Sequence, residues 1–127
     1  MRSSKALTGA VAAIAVLAVA PSAFAKGPAK QVAGTCSGGS TMTLKAKTDD
    51  GGIQTEFEVD SNVVGQTWSW RLNDNAVTKA SGTAKTVAPS GSFSRSRLIA
   101  NQAGPDKINV RATNAATGEV CKAVLTI

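Results

Sequence analysis

The chain contains no histidine and no tyrosine. Without histidine there is no imidazole general base and no serine–histidine arrangement. The commonest metal ligand is missing as well. Cysteine occurs only twice, at Cys36 and Cys121. If those two are bonded, neither a thiolate nucleophile nor a zinc–thiolate site remains. Aromatic residues make up 4% of the sequence, so a core must be built mainly from aliphatic side chains. No helical period runs through the chain beyond residue 25. These absences point away from an enzyme, and no cofactor or metal is expected.

Long apolar runs are scarce too. The one present, Ala6 to Ala20, follows Arg2 and Lys5 and precedes Pro21-Ser22-Ala23-Phe24-Ala25. A basic start, a short apolar run and an A-x-A boundary read as a secretory signal peptide over residues 1–25, cut after Ala25. The run is shorter than the roughly 20 apolar residues that a spanning helix needs. No cysteine follows the boundary to take a lipid, and no paired arginines mark twin-arginine export. The expectation is a free, secreted, extracellular protein with no membrane association after cleavage. Setting aside Arg2 and Lys5 leaves 12 basic against 8 acidic side chains, a net charge of +4. That excess lacks the dense cluster of a nucleic-acid-binding surface, so no nucleic acid is expected as a partner.

In an oxidising compartment a pair of cysteines in a small domain reads as a disulfide, here Cys36–Cys121. Residues 26–39 read as a loose N-terminal lead and edge segment. Residues 40–127 read as one β domain.

What the sequence does contain is period-two alternation. Met42, Leu44 and Ala46 alternate with Thr43, Lys45 and Lys47. Asp49-Asp50-Gly51-Gly52 then gives a hairpin turn signal. Ile53, Thr55, Phe57 and Val59 alternate with Gln54, Glu56, Glu58 and Asp60. Pairing residues whose numbers sum to 101 sets Leu44 opposite Phe57 and Lys45 opposite Glu56. The last 22 residues repeat the pattern. Ile108, Val110 and Ala112 lead through a turn at Ala115–Gly118 to Cys121, Ala123, Leu125 and Ile127. A sum of 233 puts all of these on one face, and a slip of one residue would mix the faces. It also sets Arg111 opposite Lys122, a mildly unfavourable pairing of like charges.

Between the hairpins lie three further strands. Thr67 to Leu72 carries Trp68, Trp70 and Leu72 on one face, which favours a core position for both tryptophans. Val77 to Ala80, continuing toward Val87, returns with an interruption near Ser81-Gly82. Phe93 to Ala100 has Arg95 and Arg97 on the same parity as Phe93 and Ile99, which a bulge or an edge position would resolve. About seven strands at this spacing predict an immunoglobulin-like antiparallel two-sheet sandwich, with a small β-barrel as the alternative.

Three constellations bear on function. Glu56, Glu58 and Asp60 share a face in principle suited to a carboxylate pair, but they lie opposite Phe57 and Val59 and read as a solvated face. Asp49 and Asp50 read as a turn without the ligand count of a calcium loop. The basic residues carry the leading reading. If the third strand lies beside the final hairpin, Arg71, Arg111 and Lys122 share a solvent face, with Arg95 and Arg97 at its rim. Such a face suits a non-enzymatic binding module for an anionic cell-envelope polymer or an acidic partner. The alternative is a proteinaceous inhibitor of a secreted hydrolase, using Trp68, Trp70 and Arg71 as its surface.

The stretches Gly34-Thr35-Cys36, KAKTDDGG, FEVDSN, APSGSF, RLIANQAG and ATNAATGEVC resemble small secreted β-sandwich proteins of actinobacteria that have no assigned function. That resemblance spans nearly all of residues 26–127 and implies export and a β-sandwich, but no active residues. Trp70-Arg71-Leu72 also has a weaker likeness to secreted α-amylase inhibitors, which use a Trp-Arg-Tyr triplet. It departs from them at the third position and lacks one of their two disulfides. The enediyne-binding apoproteins share the expected fold, without a matching motif here.

Overall fold

The alternating segments become strands wherever their apolar face finds a second sheet to cover it. The computed structural model describes residues 27–127, so the leader read over residues 1–25 lies outside the described residues. Nine strands follow in order: β1 (Lys30–Ala33), β2 (Thr35–Cys36), β3 (Thr41–Asp49), β4 (Gly52–Asp60), β5 (Thr67–Asp74), β6 (Val77–Lys85), β7 (Ser92–Ala100), β8 (Lys107–Asn114) and β9 (Val120–Thr126). They form a four-stranded sheet in the order β1-β3-β4-β7 and a five-stranded sheet in the order β2-β9-β8-β5-β6. All pairings are antiparallel, and the sheets stay separate rather than closing into a barrel.

The seven strands β3 to β9 are those expected from the alternation. β3, β4 and β7 take the places of strands A, B and E of an immunoglobulin-like sandwich, and β5, β6, β8 and β9 those of C, C′, F and G. The two hairpin registers are the expected ones. Leu44 pairs with Phe57 and Lys45 with Glu56, whose charged ends lie 3.8 Å apart. Ile108 pairs with Leu125, and Ala112 with Cys121. The β3–β4 turn has Asp50 at φ 53° and Gly51 at φ 80°, the two left-handed residues of a type I′ hairpin.

The additional strands are N-terminal. Lys30 and Gln31 were expected in a loose lead, but they pair with Ala46 and Lys45. The physical reason is that β3 would otherwise leave its ladder groups open along a sheet edge. After Ala33 the chain crosses to the other sheet, where Cys36 pairs with Cys121. Gly34 makes the crossing, and a Cβ there would stand 2.6 Å from the Lys122 carbonyl oxygen. The N-terminal segment therefore bridges both sheets along one side of the sandwich.

The Cys36–Cys121 disulfide is formed, with a Cα–Cα distance of 4.0 Å and a separation of 85 residues. Glu119 reinforces it by accepting from the Ser40 amide at 3.0 Å and the Ser40 hydroxyl at 2.7 Å. Burial works to raise the Glu119 carboxyl. The hydrogen bonds from Ser40 and the Gly38 amide outweigh it and hold the group below its ordinary value.

The core lies between the sheets. Phe57 packs against Trp70 at 5.3 Å between ring centroids and edge-on against Phe93 at 5.9 Å. Leu44, Ile53, Val59, Ile108 and Val110 fill the remainder without exposure. β6 runs unbroken through Ser81-Gly82, where an interruption was expected. The irregularity lies earlier, where Leu72 pairs with Ala80 but Asn73 with Thr78, leaving Lys79 as the extra residue.

Candidate functional site: a cross-strand row on the five-stranded sheet

Strand pleating sends alternate residues of β5, β8 and β9 to opposite faces. Trp68, Trp70 and Leu72 go inward, so Ser69, Arg71 and Asn73 go outward. Register then decides which outward residues meet. Arg71 pairs with Arg111, and Arg111 pairs with Lys122. The same row continues to Ser81 on β6 and Thr35 on β2. It crosses all five strands, and all five of its side chains are exposed. Neighbouring strands lie about 4.8 Å apart, so the three cations span about 10 Å at right angles to the chain direction.

Beside the row the surface is hydroxyl-rich. Ser69 pairs with Thr113 on one side and Thr83 on the other. Together with Arg71, Arg111 and Ser81 they line an open basin of about 530 Å³. Among the described residues no carboxylate belongs to this face. Glu56 and Glu58 lie on the other sheet, and Glu119 is turned to Ser40. The flanking Ser69, Thr83 and Thr113 were not singled out in the sequence. Their parity with Arg71 and Arg111 was legible there, but their adjacency required the β5–β6 and β5–β8 registers.

Directly opposed like charges disfavour folding by a few tenths of a kcal/mol to about 1 kcal/mol. Replacing the middle member, Arg111→Thr, is therefore expected to stabilise the protein by roughly 0.5 kcal/mol at low ionic strength. The gain should shrink in high salt, where screening has already weakened the repulsion. Urea unfolding at low and high salt measures this, and a stability loss would contradict the repulsion.

Arg95 and Arg97 do not extend the row. They belong to β7, the edge of the other sheet, where they pair with Phe57 and Thr55 on the inward parity. No bulge is needed, because the edge position lets their ends leave the core. The Arg97 guanidinium lies 5.1 Å from the Trp70 ring centroid, and Arg95 lies 5.9 Å from Phe93. Both cover apolar rings at the β6–β7 seam, an arrangement in which cation and ring attract.

The alternative surface of Trp68, Trp70 and Arg71 is corrected, and the core position favoured by the parity of the two tryptophans holds. Trp68 is fully buried and Trp70 is 4% exposed, so only Arg71 of the three faces solvent. The reason is the sandwich itself, since both rings share the parity of Leu72 and fill the space between sheets. Cys36, Glu119 and Cys121 bring ligand atoms within 4.8 Å, but the sulfurs are already bonded to each other. Among the described residues no helix is long and apolar enough to cross a membrane.

Comparison with protein-family models, with curated proteins and with solved structures finds no match to this chain.

Proposed function

We propose that the protein is an exported, non-enzymatic binding module whose five-stranded sheet presents Arg71, Arg111 and Lys122 to an anionic polymer of the cell envelope. The observation that carries this reading is the row itself. Three cations stand directly opposed across three strands, against a folding cost, on a face without carboxylates. Natural sequences tend to break a local rule where a function needs it. The hydroxyls around the basin suit the polar groups that flank charges on such polymers. Export is supported by the leader pattern and agrees with the Cys36–Cys121 disulfide. The likeness to small secreted actinobacterial proteins belongs to the same proposal.

The test is sedimentation of the protein with purified cell-wall fractions and with a soluble polyanion. Binding is expected to weaken steeply as salt rises, because it depends on charge pairing. Arg71→Glu with Arg111→Glu should weaken it on the order of 1,000-fold, at about 1 kcal/mol for each of the two cations removed and each of the two opposing charges added. Lys45→Glu, on the other sheet, should leave it unchanged. Binding that survives both high salt and the double reversal would remove the row from the function.

A further inference from the structure

Asp74 closes β5, and Asp106 stands just ahead of β8. The two are 32 residues apart in sequence, yet the structure clamps them together. The Asn75 amide donates to the Lys107 carbonyl at 3.0 Å, and the Lys107 amide donates to Asn75 Oδ1 at 2.9 Å. Asn75 Nδ2 donates to the Pro105 carbonyl at 3.3 Å. The β5–β6 turn is thus fastened to the start of β8. Asp74 and Asp106 are each 1% exposed.

Asp106 Oδ1 accepts the Gln102 amide at 3.1 Å. Asp74 pairs with Ile108, and Asp106 stands two residues before it, so two buried carboxyls neighbour each other, and a carboxylate pair holds no donor. Both Asp74 oxygens are buried without any hydrogen-bond partner. This second fact separates the pair from an ordinary acidic cluster. Buried, unpartnered acceptors of like charge require something positive between them. Lys79 on β6 acts on Asp74 only from a distance, and the ion pair found among the described residues is Lys45–Glu56.

We propose that Asp74 and Asp106 hold a hard divalent cation, calcium by preference, between the β5–β6 turn and the loop ahead of β8. Carboxylate oxygens are the donors such ions prefer, and calcium tolerates irregular sites completed by carbonyls and water. Asp74 contributes two free oxygens, and Asp106 contributes the one not engaged by Gln102. A proton is the competitor. Burial first, and the neighbouring Asp106 second, push the Asp74 carboxyl from 3.8 up to about 6 in the metal-free protein. Its folded value lies above its unfolded one, so the proton's contribution to stability is full below pH 3.8. It is lost as pH rises through about 6.

The experiment is thermal unfolding and isothermal titration of the protein at pH 7.5 in EDTA, 10 mM CaCl₂, 10 mM MgCl₂, and KCl of matched ionic strength. For a dissociation constant of about 10⁻⁴–10⁻³ M, 10 mM calcium should raise the folded-to-unfolded ratio roughly 10- to 100-fold. The melting temperature should rise by several degrees, with a smaller rise in magnesium and none in matched KCl. The calcium response should fade at pH 5, where protons compete. Asp74→Asn should abolish the response while raising the melting temperature in EDTA. Asp106→Asn keeps the Gln102 contact and should abolish it independently. No calcium-dependent shift at pH 7.5, with Asp74→Asn still stabilising, would overturn the proposal and leave a shared proton only.

Discussion

Cys36→Ala with Cys121→Ala is expected to lower the unfolding free energy by about 4 kcal/mol and the melting temperature by roughly 15–30 °C. The bond joins residues 85 positions apart. Cross-linking so long a segment removes loop-closure entropy from the unfolded chain, which the entropy model values at about 4–5 kcal/mol. Alanine avoids placing a hydroxyl at position 121, where the side chain has no exposure. The N-terminal segment keeps local contacts without the bond. The Ser37 amide donates to the Val120 carbonyl at 2.9 Å, and Glu119 still holds Ser40. The loss should therefore appear as global destabilisation with the sandwich retained. Urea unfolding, beside near-ultraviolet dichroism of the native state, measures both. A loss below about 1 kcal/mol would mean that the link does not restrain the unfolded ensemble.

Trp68→Ala should cost about 3–5 kcal/mol, the range for removing a large ring from a packed core. Trp68 is the largest fully buried side chain, and its centroid lies 6.3 Å from that of Phe93. Its Nε1 donates to Gln66 Oε1 at 3.4 Å, so truncation also frees an acceptor near the surface. The gap would open between two sheets whose hydrogen-bonded ladders limit relaxation. Chemical denaturation reads the effect directly. A variant of unchanged stability with altered binding would return Trp68 to the surface reading. Both changes together remove about 7–9 kcal/mol, within the 5–15 kcal/mol that holds a typical domain folded. The combined variant should be partly unfolded at room temperature.

The fold was largely legible because its strands alternate cleanly. For β3–β4 and β8–β9 the turn chemistry and both faces agree on one register, so local information suffices. The weak segments failed for identifiable reasons. Lys30 and Gln31 have no apolar pattern, and they join the sheet because an edge needs covering. Gly82 looked like a break, but it sits opposite Trp70 in a continuous strand. Arg95 and Arg97 looked like rim residues because charge usually marks the solvent face. On an edge strand an inward arginine can lie over a ring and still reach water.

The candidate site was legible in composition but conditional in geometry. Arg111 opposite Lys122 follows from the final hairpin alone. Arg71 joins them only if β5 pairs with β8, a contact between segments about 40 residues apart. Asp74 and Asp106 carried no signal at all, since each sits in a turn-like context of its own.

Sequence by itself determined the strand class, the faces of the two hairpins, the cysteine pairing and the lack of histidine chemistry. These depend on side-chain period and residue identity, which are local properties or simple counts. Tertiary structure alone decided that three cations form one row and that two aspartates meet without a donor between them. Each of those depends on which strand lies beside which. The pleat tells a residue which face it takes, but only the pairing of distant strands tells it what it will face there.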